Sequence, residues 1–289
     1  MTRIYSPTQL SLFSISRLGA WWEEFDRNNK ILNFPQPTEL EKRLMLEGDN
    51  HEKMLIEKFR EENKSIVDIG NFNLSKDDKY LKTIECMKEG IDIIYQAALK
   101  NETIRGNADF LYKVEQPSNL GGWSYEPIEC KLSSKSKTTF LIQACCYCDL
   151  LENILGKKPK LFHLYLGGGS KLSDNIFKFS DFEDWYIQLK IQYKKFIDDF
   201  NPNKEPDIFP GNHGKWTTYI ENELARRKDL SLVAGMTKYQ RNRLIEQNIT
   251  TIDQFAKYNL ENFLLSKQDP LISLQKQAKA QVHPKNKDG

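Results

Sequence analysis

The sequence predicts an α/β protein in which a mixed sheet flanked by helices is followed by a small helical module. Two segments, 103–116 and 121–134, alternate apolar and polar residues as strands do. A long apolar segment with helical periodicity and a third strand-like segment follow them. Beyond three prolines within nine residues, at 202–210, the pattern changes to short helices.

Composition places the chain among globular proteins. Of its 289 residues, 39% are hydrophobic and 28% are charged. No apolar run approaches the roughly 18–20 residues that a membrane-spanning helix needs. The first residues lack the basic-then-apolar pattern of a secretion signal, so we expect a cytoplasmic location and no membrane partner. The five cysteines are odd in number and clustered, which argues against a disulfide framework.

Two helices are predicted before residue 60. Ser6 followed by Pro7 is typical of a helix N-cap and first helical position. Thr38 with Glu41 fits a capping box at the start of the second helix. In that helix the apolar pattern is interrupted at Gly48 and resumes three residues later.

The next elements follow from periodicity and turn signals. In chain order, we predict a strand at 65–70, a helix at 77–101, strands at 103–116 and 121–134, a helix at 138–156 closed by Gly156, a strand at 159–169 and a helix at 181–200. The proline-rich stretch that follows predicts a boundary between two domains, residues 1–200 and 201–289.

Charge differs slightly between these two domains. Residues 201–289 carry 14 Lys and Arg against 10 Asp and Glu and end in a basic C-terminal tail. Residues 1–200 carry 28 against 30. The excess of basic residues weakly favours a nucleic-acid contact in the second domain.

Three charged side chains are predicted to meet on two adjacent strands. Glu129 and Lys131 stand two residues apart, so they point to one face of their strand. Asp109 lies on the preceding strand, about 4.8 Å away. Two carboxylates that share a site repel each other, and a divalent cation keeps both ionised. Oxygen ligands suit Mg²⁺ or Mn²⁺, and a lysine can hold the water that attacks a metal-polarised phosphoryl group. The pattern therefore favours phosphodiester hydrolysis.

An ordinary surface strand is the simpler explanation of an isolated Glu-x-Lys. The neighbouring segments favour a site, because "GNADF" stands about twenty residues upstream and a helix with two polar residues follows. Those two residues, Gln143 and Tyr147, share one face of an otherwise apolar helix. Taken alone, they are also explained by a core helix with one satisfied polar pair.

Together, "GNADF", "IECK" and "QACCY" resemble the RecB-type branch of the PD-(D/E)XK nuclease superfamily. That branch includes the CRISPR-associated RecB-like exonucleases and the nuclease domains of helicase–nuclease fusions. Its pattern is a His on a helix, then G-x-x-D, E-x-K and Q-x-x-x-Y. The matching positions are His51, Gly106 to Asp109, Glu129 with Lys131, and Gln143 with Tyr147. The resemblance covers roughly residues 1–200 and implies a restriction-endonuclease-like fold.

The resemblance also implies roles for these residues. The metal ligands would be His51, Asp109, Glu129 and the backbone carbonyl of Cys130. Lys131 would orient or activate the attacking water. Gln143 and Tyr147 would position the catalytic lysine or the nucleic-acid backbone.

The chain departs from the family at its cysteines. Many RecB-like relatives bind an iron–sulfur cluster through one cysteine before the core and three after it. This chain has none before Cys86 and none after Cys148, so we expect no iron–sulfur cluster. Cys145 and Cys148 form a lone C-x-x-C in an apolar helix, for which core packing is a better explanation than zinc.

Residues 229–258 resemble a helix-hairpin-helix unit. Turns of this kind contact phosphates through backbone N–H groups. Lys238, Arg241 and Arg243 stand nearby and would add positive charge for nucleic-acid binding. A small helical packing module with a solvated basic face explains the segment equally well.

The leading hypothesis is a Mg²⁺- or Mn²⁺-dependent deoxyribonuclease. By analogy it would be an exonuclease acting on single-stranded or flapped DNA in repair or recombination. A second hypothesis is a weakly active or inactive nucleic-acid-binding subunit on a nuclease-derived fold. A third is that the chain forms the N-terminal part of a larger nuclease or helicase, with a helicase as partner. The presence of Asp109, Glu129 and Lys131 together favours the enzyme.

Overall fold

The computed structural model describes residues 3–29 and 38–282, apart from positions 262, 264 and 267. The chain divides into two compact units. The first comprises Met1–Ile15 and Lys30–Phe200, and the second comprises Ser16–Asn29 and Asn201–Gly289. Residues 16–29 therefore group with the second unit, whereas the sequence analysis placed them in the first domain.

A six-stranded mixed sheet forms the centre of the first unit, with its strands in chain order. The strands are β1 (Ile66–Asp68), β2 (Ile93–Lys100), β3 (Arg105–Val114), β4 (Ser124–Lys131), β5 (Leu161–Leu166) and β6 (Ile176–Lys178). Neighbours run antiparallel except in the pairs β1–β2 and β4–β5, which are parallel. The predicted α/β class with a mixed sheet is thus confirmed.

Helices flank the sheet and form most of the second unit. In chain order they are α1 (Pro7–Ile15), α2 (Arg17–Asn29), α3 (Glu39–Glu61), α4 (Lys76–Glu89), α5 (Thr138–Leu155), α6 (Glu183–Asp198), α7 (Thr217–Arg227), α8 (Lys238–Ile245), α9 (Ile252–Lys257) and α10 (Leu271–Val282). Parallel strands need a crossover connection, and α4 supplies it between β1 and β2, as α5 does between β4 and β5. Within the described part of the chain, no helix is both long and apolar enough to span a membrane.

The first two predicted helix starts are confirmed. Ser6 Oγ caps α1 by accepting a hydrogen bond of 3.2 Å from a backbone N–H three residues later. Thr38 and Glu41 form the capping box of α3. The interruption predicted at Gly48 is wrong, since α3 continues through it. A single glycine costs a helix only about 1 kcal/mol, and burial of the C-terminal half of α3 against the sheet offsets that cost.

The helix predicted at 77–101 is wrong in its second half. Helix α4 ends before Gly90, whose left-handed φ of 73° closes the last turn. The segment beyond it is β2, which lies between β1 and β3. Its first residues, Ile93 and Ile94, are β-branched and fully buried, as suits a strand inside a sheet.

Helices α3 and α5 cover opposite faces of the sheet. Three buried residues of α3, Leu55, Ile56 and Phe59, pack against buried residues of four strands. The strand residues are Ile93, Phe110, Ile128, Cys130 and Tyr165. Helix α5 packs against β4 and β5. Strand β4 is therefore buried from its start, and only its last residue, Lys131, is partly exposed. Charged side chains on this strand need partners, because burying an isolated charge is costly.

The second unit is helical and has its own buried aromatic residues. The Trp22 ring of α2 lies 4.7 Å from Tyr219 of α7 and 6.2 Å from Trp216. The indole N–H of Trp216 donates to the Glu23 carboxylate at 3.0 Å. These contacts attach α2 to the helices that follow residue 200.

The segment 229–258 contains α8 and α9 after a three-residue 3-10 turn. Its predicted core residues, Leu244, Ile249, Ile252 and Phe255, are buried. The predicted basic tail begins inside α10, which continues to Val282, and residues 283–289 lie outside the described residues. The helix-hairpin-helix identity of the segment stays a prediction.

Candidate active site

The register of the central strands places three residues in one row. Strand β3 pairs with β4 in a register whose continuation sets Asp109 opposite Glu129. Strand β2 pairs with β3 through Tyr95 with Phe110 and Ala97 with Ala108, which places Gln96 level with Asp109. Residues opposite one another on neighbouring strands have Cβ atoms about 4.5–5.5 Å apart. The row therefore crosses β2, β3 and β4 at one level.

Lys131 lies between the two carboxylates. Its Nζ is 2.5 Å from Glu129 Oε1 and 3.8 Å from Asp109 Oδ2. Asp109 Oδ2 also accepts a hydrogen bond of 2.8 Å from the backbone N–H of Cys130. The structure thus brings together the three residues that the sequence singled out, which we call the acid–lysine trio.

Burial makes the charges of the trio costly. The side chain of Glu129 is 3% exposed and that of Asp109 is 15% exposed. Burial raises the pKa of Glu129, and repulsion from Asp109 raises it further. Burial also raises the pKa of Asp109, with Lys131 acting against it and Glu52 adding to it. Burial opposes the charge of Lys131, but the two carboxylates outweigh it and raise its pKa. With both acids ionised, the trio would carry a negative charge that a cation would compensate.

The oxygen atoms of the trio fit a divalent cation. Glu129 Oε2 is buried and has no hydrogen-bond partner among the described residues. Such an oxygen is costly to bury unpaired, and Mg²⁺ prefers carboxylate oxygens while keeping several waters. In the described ranges, no group of three or more His, Cys, Asp and Glu side chains is arranged to hold a metal ion. Asp109 and Glu129 could supply two ligands, and carbonyl, water or substrate oxygens would have to supply the others.

The imidazole of His51 contacts Tyr165. Its Nε2 lies 3.1 Å from the backbone carbonyl oxygen of Tyr165. A carbonyl oxygen only accepts, so Nε2 carries the hydrogen and donates. The imidazole also stacks on the Tyr165 ring, with a centroid distance of 4.5 Å. In this arrangement Nε2 is not available to a metal, and the ligand role of His51 stays a prediction.

Glu52 is a site residue that the sequence analysis missed. Its Oε2 accepts hydrogen bonds from the Tyr95 hydroxyl at 2.7 Å and from Gln96 Nε2 at 3.0 Å. Its charge raises the pKa of both Asp109 and Glu129. The available signal was an acidic residue directly after the histidine already singled out on α3.

Gln96 has an unusual backbone for the middle of a strand, with φ of 52°. In a regular strand consecutive side chains point to opposite faces. Tyr95 and Gln96 are consecutive, yet both donate to Glu52. The left-handed backbone at Gln96 makes this possible at a cost of about 1–2 kcal/mol. Strained residues of this kind cluster at functional sites.

Gln143 and Tyr147 of α5 face the start of β3 and of α1. The Tyr147 hydroxyl donates to the Asn107 carbonyl at 2.6 Å, and Gln143 Nε2 lies 3.4 Å from the Thr8 hydroxyl. Burial raises the pKa of Tyr147, and the charges of Glu129 and Asp109 raise it further, so Tyr147 lies near the trio.

The glycine of G-x-x-D has a packing role. A Cβ at Gly106 would lie 2.8 Å from Pro7 Cδ and 3.3 Å from Tyr147 Cε1. Real Cβ atoms do not approach other heavy atoms so closely. Only glycine lets β3 lie this near the first turn of α1, three residues before Asp109.

All five cysteines are buried free thiols. Burial raises the pKa of Cys145, Cys146 and Cys148 on α5. The core packing expected for Cys145 and Cys148 is confirmed. Cys130 contributes its backbone to the trio, and burial keeps the pKa of its thiol well above the ordinary value.

The three cations predicted to bind nucleic acid have different surroundings. Arg241 is buried and donates to Asp229 at 2.8 and 2.9 Å and to Asp207 at 2.6 Å. Arg243 donates to Asp269 at 3.1 Å, and its side chain is 12% exposed. The ion pairs give the two arginines a structural role. Lys238 is exposed, and its contact with a phosphate stays a prediction.

No protein-family model and no curated protein sequence matches the chain. The functional conclusion therefore depends on the geometry of the trio and on the motifs that carry the resemblance. Chemically, the trio offers two carboxylates for a cation and one ammonium group for a water or a phosphate.

Proposed function

We propose that the first unit is a Mg²⁺- or Mn²⁺-dependent nuclease that hydrolyses phosphodiester bonds. The acid–lysine trio carries the proposal. Asp109 and Glu129 lie on adjacent strands with Lys131 Nζ 3.8 and 2.5 Å away. The second oxygen of Glu129 is buried without a partner among the described residues. At the structural ion pair of Arg241 the second acid, Asp207, is 47% exposed, whereas the two acids of the trio are 3% and 15% exposed.

Each residue of the trio has a role in this proposal. Asp109 and Glu129 would hold the cation, together with the Cys130 carbonyl oxygen. When bound, the cation would supply a Lewis acid that polarises a phosphoryl oxygen and lowers the pKa of a bound water. Lys131 holds the attacking water at its Nζ. The Cys130 N–H fixes the orientation of Asp109.

The proposed substrate is DNA with a free end, either single-stranded or flapped. A role in DNA repair or recombination, with a helicase as partner, belongs to the same proposal. Both rest on the resemblance of the motifs to the RecB-type nucleases, and the fold alone does not select a substrate.

A nucleic-acid-binding subunit without cleavage activity is the second candidate. The position of His51 favours it, because Nε2 donates to the Tyr165 carbonyl and does not face a metal in this arrangement. Without His51, the cation would have one ligand fewer than the resemblance implies.

Cleavage of end-labelled DNA by the purified chain distinguishes the two candidates. Single-stranded and flapped substrates are incubated with Mn²⁺, Mg²⁺ or EDTA, and RNA of the same sequence is run in parallel. We expect a product ladder with a metal and none in EDTA. A folded chain that binds DNA and leaves it intact with both metals contradicts the nuclease and supports the binding subunit.

A further inference from the structure

A cleft of about 590 Å³ lies in the first unit, and its lining includes Asn107 and Tyr147. It lies between the start of α1, the N-terminal half of α4 and the adjoining ends of β2 and β3. Its basic lining residues are Lys76, Lys79, Lys100 and Arg105, and its aromatic lining residues include Tyr80 and Tyr147. No acidic side chain is among the described residues that line it. We call this feature the α1–α4 cleft.

The cations of the α1–α4 cleft exceed the acids that pair with them. Lys100 Nζ and Arg105 each lie 2.6 Å from the same oxygen of Asp77. That carboxylate is 62% exposed, so solvent screens it. Lys79 donates to the Gly70 carbonyl at 3.0 Å, a neutral acceptor. One carboxylate therefore serves two cations, and the cleft has an excess of positive charge.

Strand β3 connects the cleft with the trio. Asn107 lines the cleft and accepts at its carbonyl from Tyr147. Asp109 stands two residues further along the same strand, about 7 Å away. A strand of nucleic acid bound in the cleft would thus end close to Asp109.

The other lining groups suit a nucleic-acid strand. The Tyr80 ring lies 5.0 Å from Lys100 Nζ, so an aromatic face and a cation stand together, as in sites that stack a base and hold its phosphate. Ser6, Thr8 and Gln9 add hydrogen-bond donors at the start of α1. The volume lies in the range of about 300–1,000 Å³ typical of ligand sites, which suits one strand better than a duplex.

We propose that the α1–α4 cleft binds the phosphodiester backbone of a single nucleic-acid strand and directs it along β3 to Asp109. The direction in which the strand approaches Asp109 rests on the proposed nuclease function. Lys76 and Lys79 are the phosphate contacts least engaged with acids, and Tyr80 is the stacking surface.

The test is binding of fluorescein-labelled oligothymidylate in EDTA, followed by fluorescence anisotropy over a range of salt concentrations. The cleft variant is Lys76→Glu with Lys79→Glu. The matched control is Lys157→Glu with Lys160→Glu, an equal charge change at a second basic cleft of the same unit. A neutral variant, Lys76→Gln with Lys79→Gln, covers the case in which charge reversal disturbs folding, and circular dichroism checks each protein.

We expect the cleft variant to weaken binding by about tenfold or more, and to reduce the slope of log K against log salt by about 1.4 for two lost contacts. The neutral variant should lie between it and the wild type, and the control should bind as the wild type does. Wild-type affinity in both cleft variants, or an equal loss in the control, overturns the proposal. Duplex binding as tight as single-strand binding through the same lysines also overturns it.

Cleavage assays with Mn²⁺ on the same proteins separate this proposal from the nuclease function. If the wild type cuts DNA and the cleft variants keep full affinity, nucleic-acid binding in the cleft is contradicted and the nuclease function is supported. A wild type that binds through the cleft and never cuts supports the cleft and contradicts the nuclease.

Discussion

Lys131 Nζ lies 2.5 Å from Glu129 Oε1 and 3.8 Å from Asp109 Oδ2, so one ammonium group lies between a buried and a half-buried carboxylate. Placing two largely buried acids beside one base costs stability, because each charge loses its hydration. Lys131, the third charged residue of the trio, is the last residue of β4 and is partly exposed. Sites of this kind exchange stability for function, and that exchange can be measured.

Asp109→Asn should stabilise the metal-free protein by about 1 kcal/mol and abolish cleavage. Burial raises the pKa of Asp109, which means that the ionised carboxyl is disfavoured in the folded state and costs stability above its unfolded pKa. The amide oxygen of the variant can still accept from the Cys130 N–H. Urea unfolding in EDTA gives the change in the free energy of unfolding.

Asp92→Asn is the matched control for that measurement. Burial opposes the charge of Asp92, but hydrogen bonds from Ser65 and Lys113 outweigh it and lower the pKa. This substitution should therefore destabilise the protein. If both substitutions destabilise it equally, Asp109 is a structural residue.

Gln96→Gly should be more stable than Gln96→Ala by about 1 kcal/mol, because only glycine adopts a φ of 52° without a steric cost. Both variants lose the hydrogen bond to Glu52, so their difference isolates the backbone. At Ala97, the next residue in the same buried strand, glycine should instead be less stable than alanine by about 0.5–1 kcal/mol. The same sign at both positions would show that Gln96 is not strained.

Gly106→Ala should destabilise the first unit by about 1–3 kcal/mol, since the added Cβ would lie 2.8 Å from Pro7 Cδ. Gly122→Ala is the control, because a Cβ there meets no heavy atom within 4 Å. Denaturant midpoints of the two variants give the comparison. Equal midpoints would mean that α1 moves away at no cost and that the close approach is unimportant.

Arg241→Met should destabilise the second unit by about 3–5 kcal/mol, because it leaves Asp229 buried without its partner. Arg226→Met removes an exposed pair with Glu223 and should cost less than about 1 kcal/mol. Thermal unfolding of both variants checks this difference. Weaker DNA binding by Arg241→Met with unchanged stability would instead support the phosphate contact predicted from the sequence.

The pairing of Asp229 with Arg241 also makes the stability of the protein depend on pH. Burial opposes the charge of Asp229, but hydrogen bonds from Arg241 and Ser231 outweigh it and lower its pKa. A carboxyl with a lowered folded pKa stabilises the fold above its unfolded pKa, and this stabilisation is lost as the pH falls through the folded value. The stability difference between wild type and Asp229→Asn should be full at neutral pH and shrink below about pH 4. A difference that increases in acid contradicts this assignment.

Local patterns were sufficient to predict the strands that carry the trio. Alternation identified β3 and β4, and their adjacency was enough to bring Asp109, Glu129 and Lys131 together. Strand β2 was missed because the segment after Gly90 contains alanines and long polar side chains that also suit a helix. Without β2, nothing pointed to Gln96 or to its contact with Glu52.

The sequence did not predict side-chain contacts between residues that are far apart in the chain. Arg241 has a basic neighbour in Arg243, which favours a charged surface, yet its partner Asp207 lies 34 residues away in the chain. His51 matches the position of a family motif, but its donation to the Tyr165 carbonyl spans 114 residues. Such contacts depend on tertiary packing, and periodicity carries no information about them.

The most direct test of the nuclease is the single-turnover rate of DNA cleavage with Mn²⁺ for Lys131→Met beside Lys113→Met. Lys113 is a fair control, because it also lies on a central strand, pairs with Asp92 at 3.2 Å and is 23% exposed against 28% for Lys131. We expect Lys131→Met to lower the rate by about 10²–10⁴-fold with folding and DNA binding intact, and Lys113→Met to cut at the wild-type rate. A Lys131→Met protein that cuts as fast as the wild type would contradict the account.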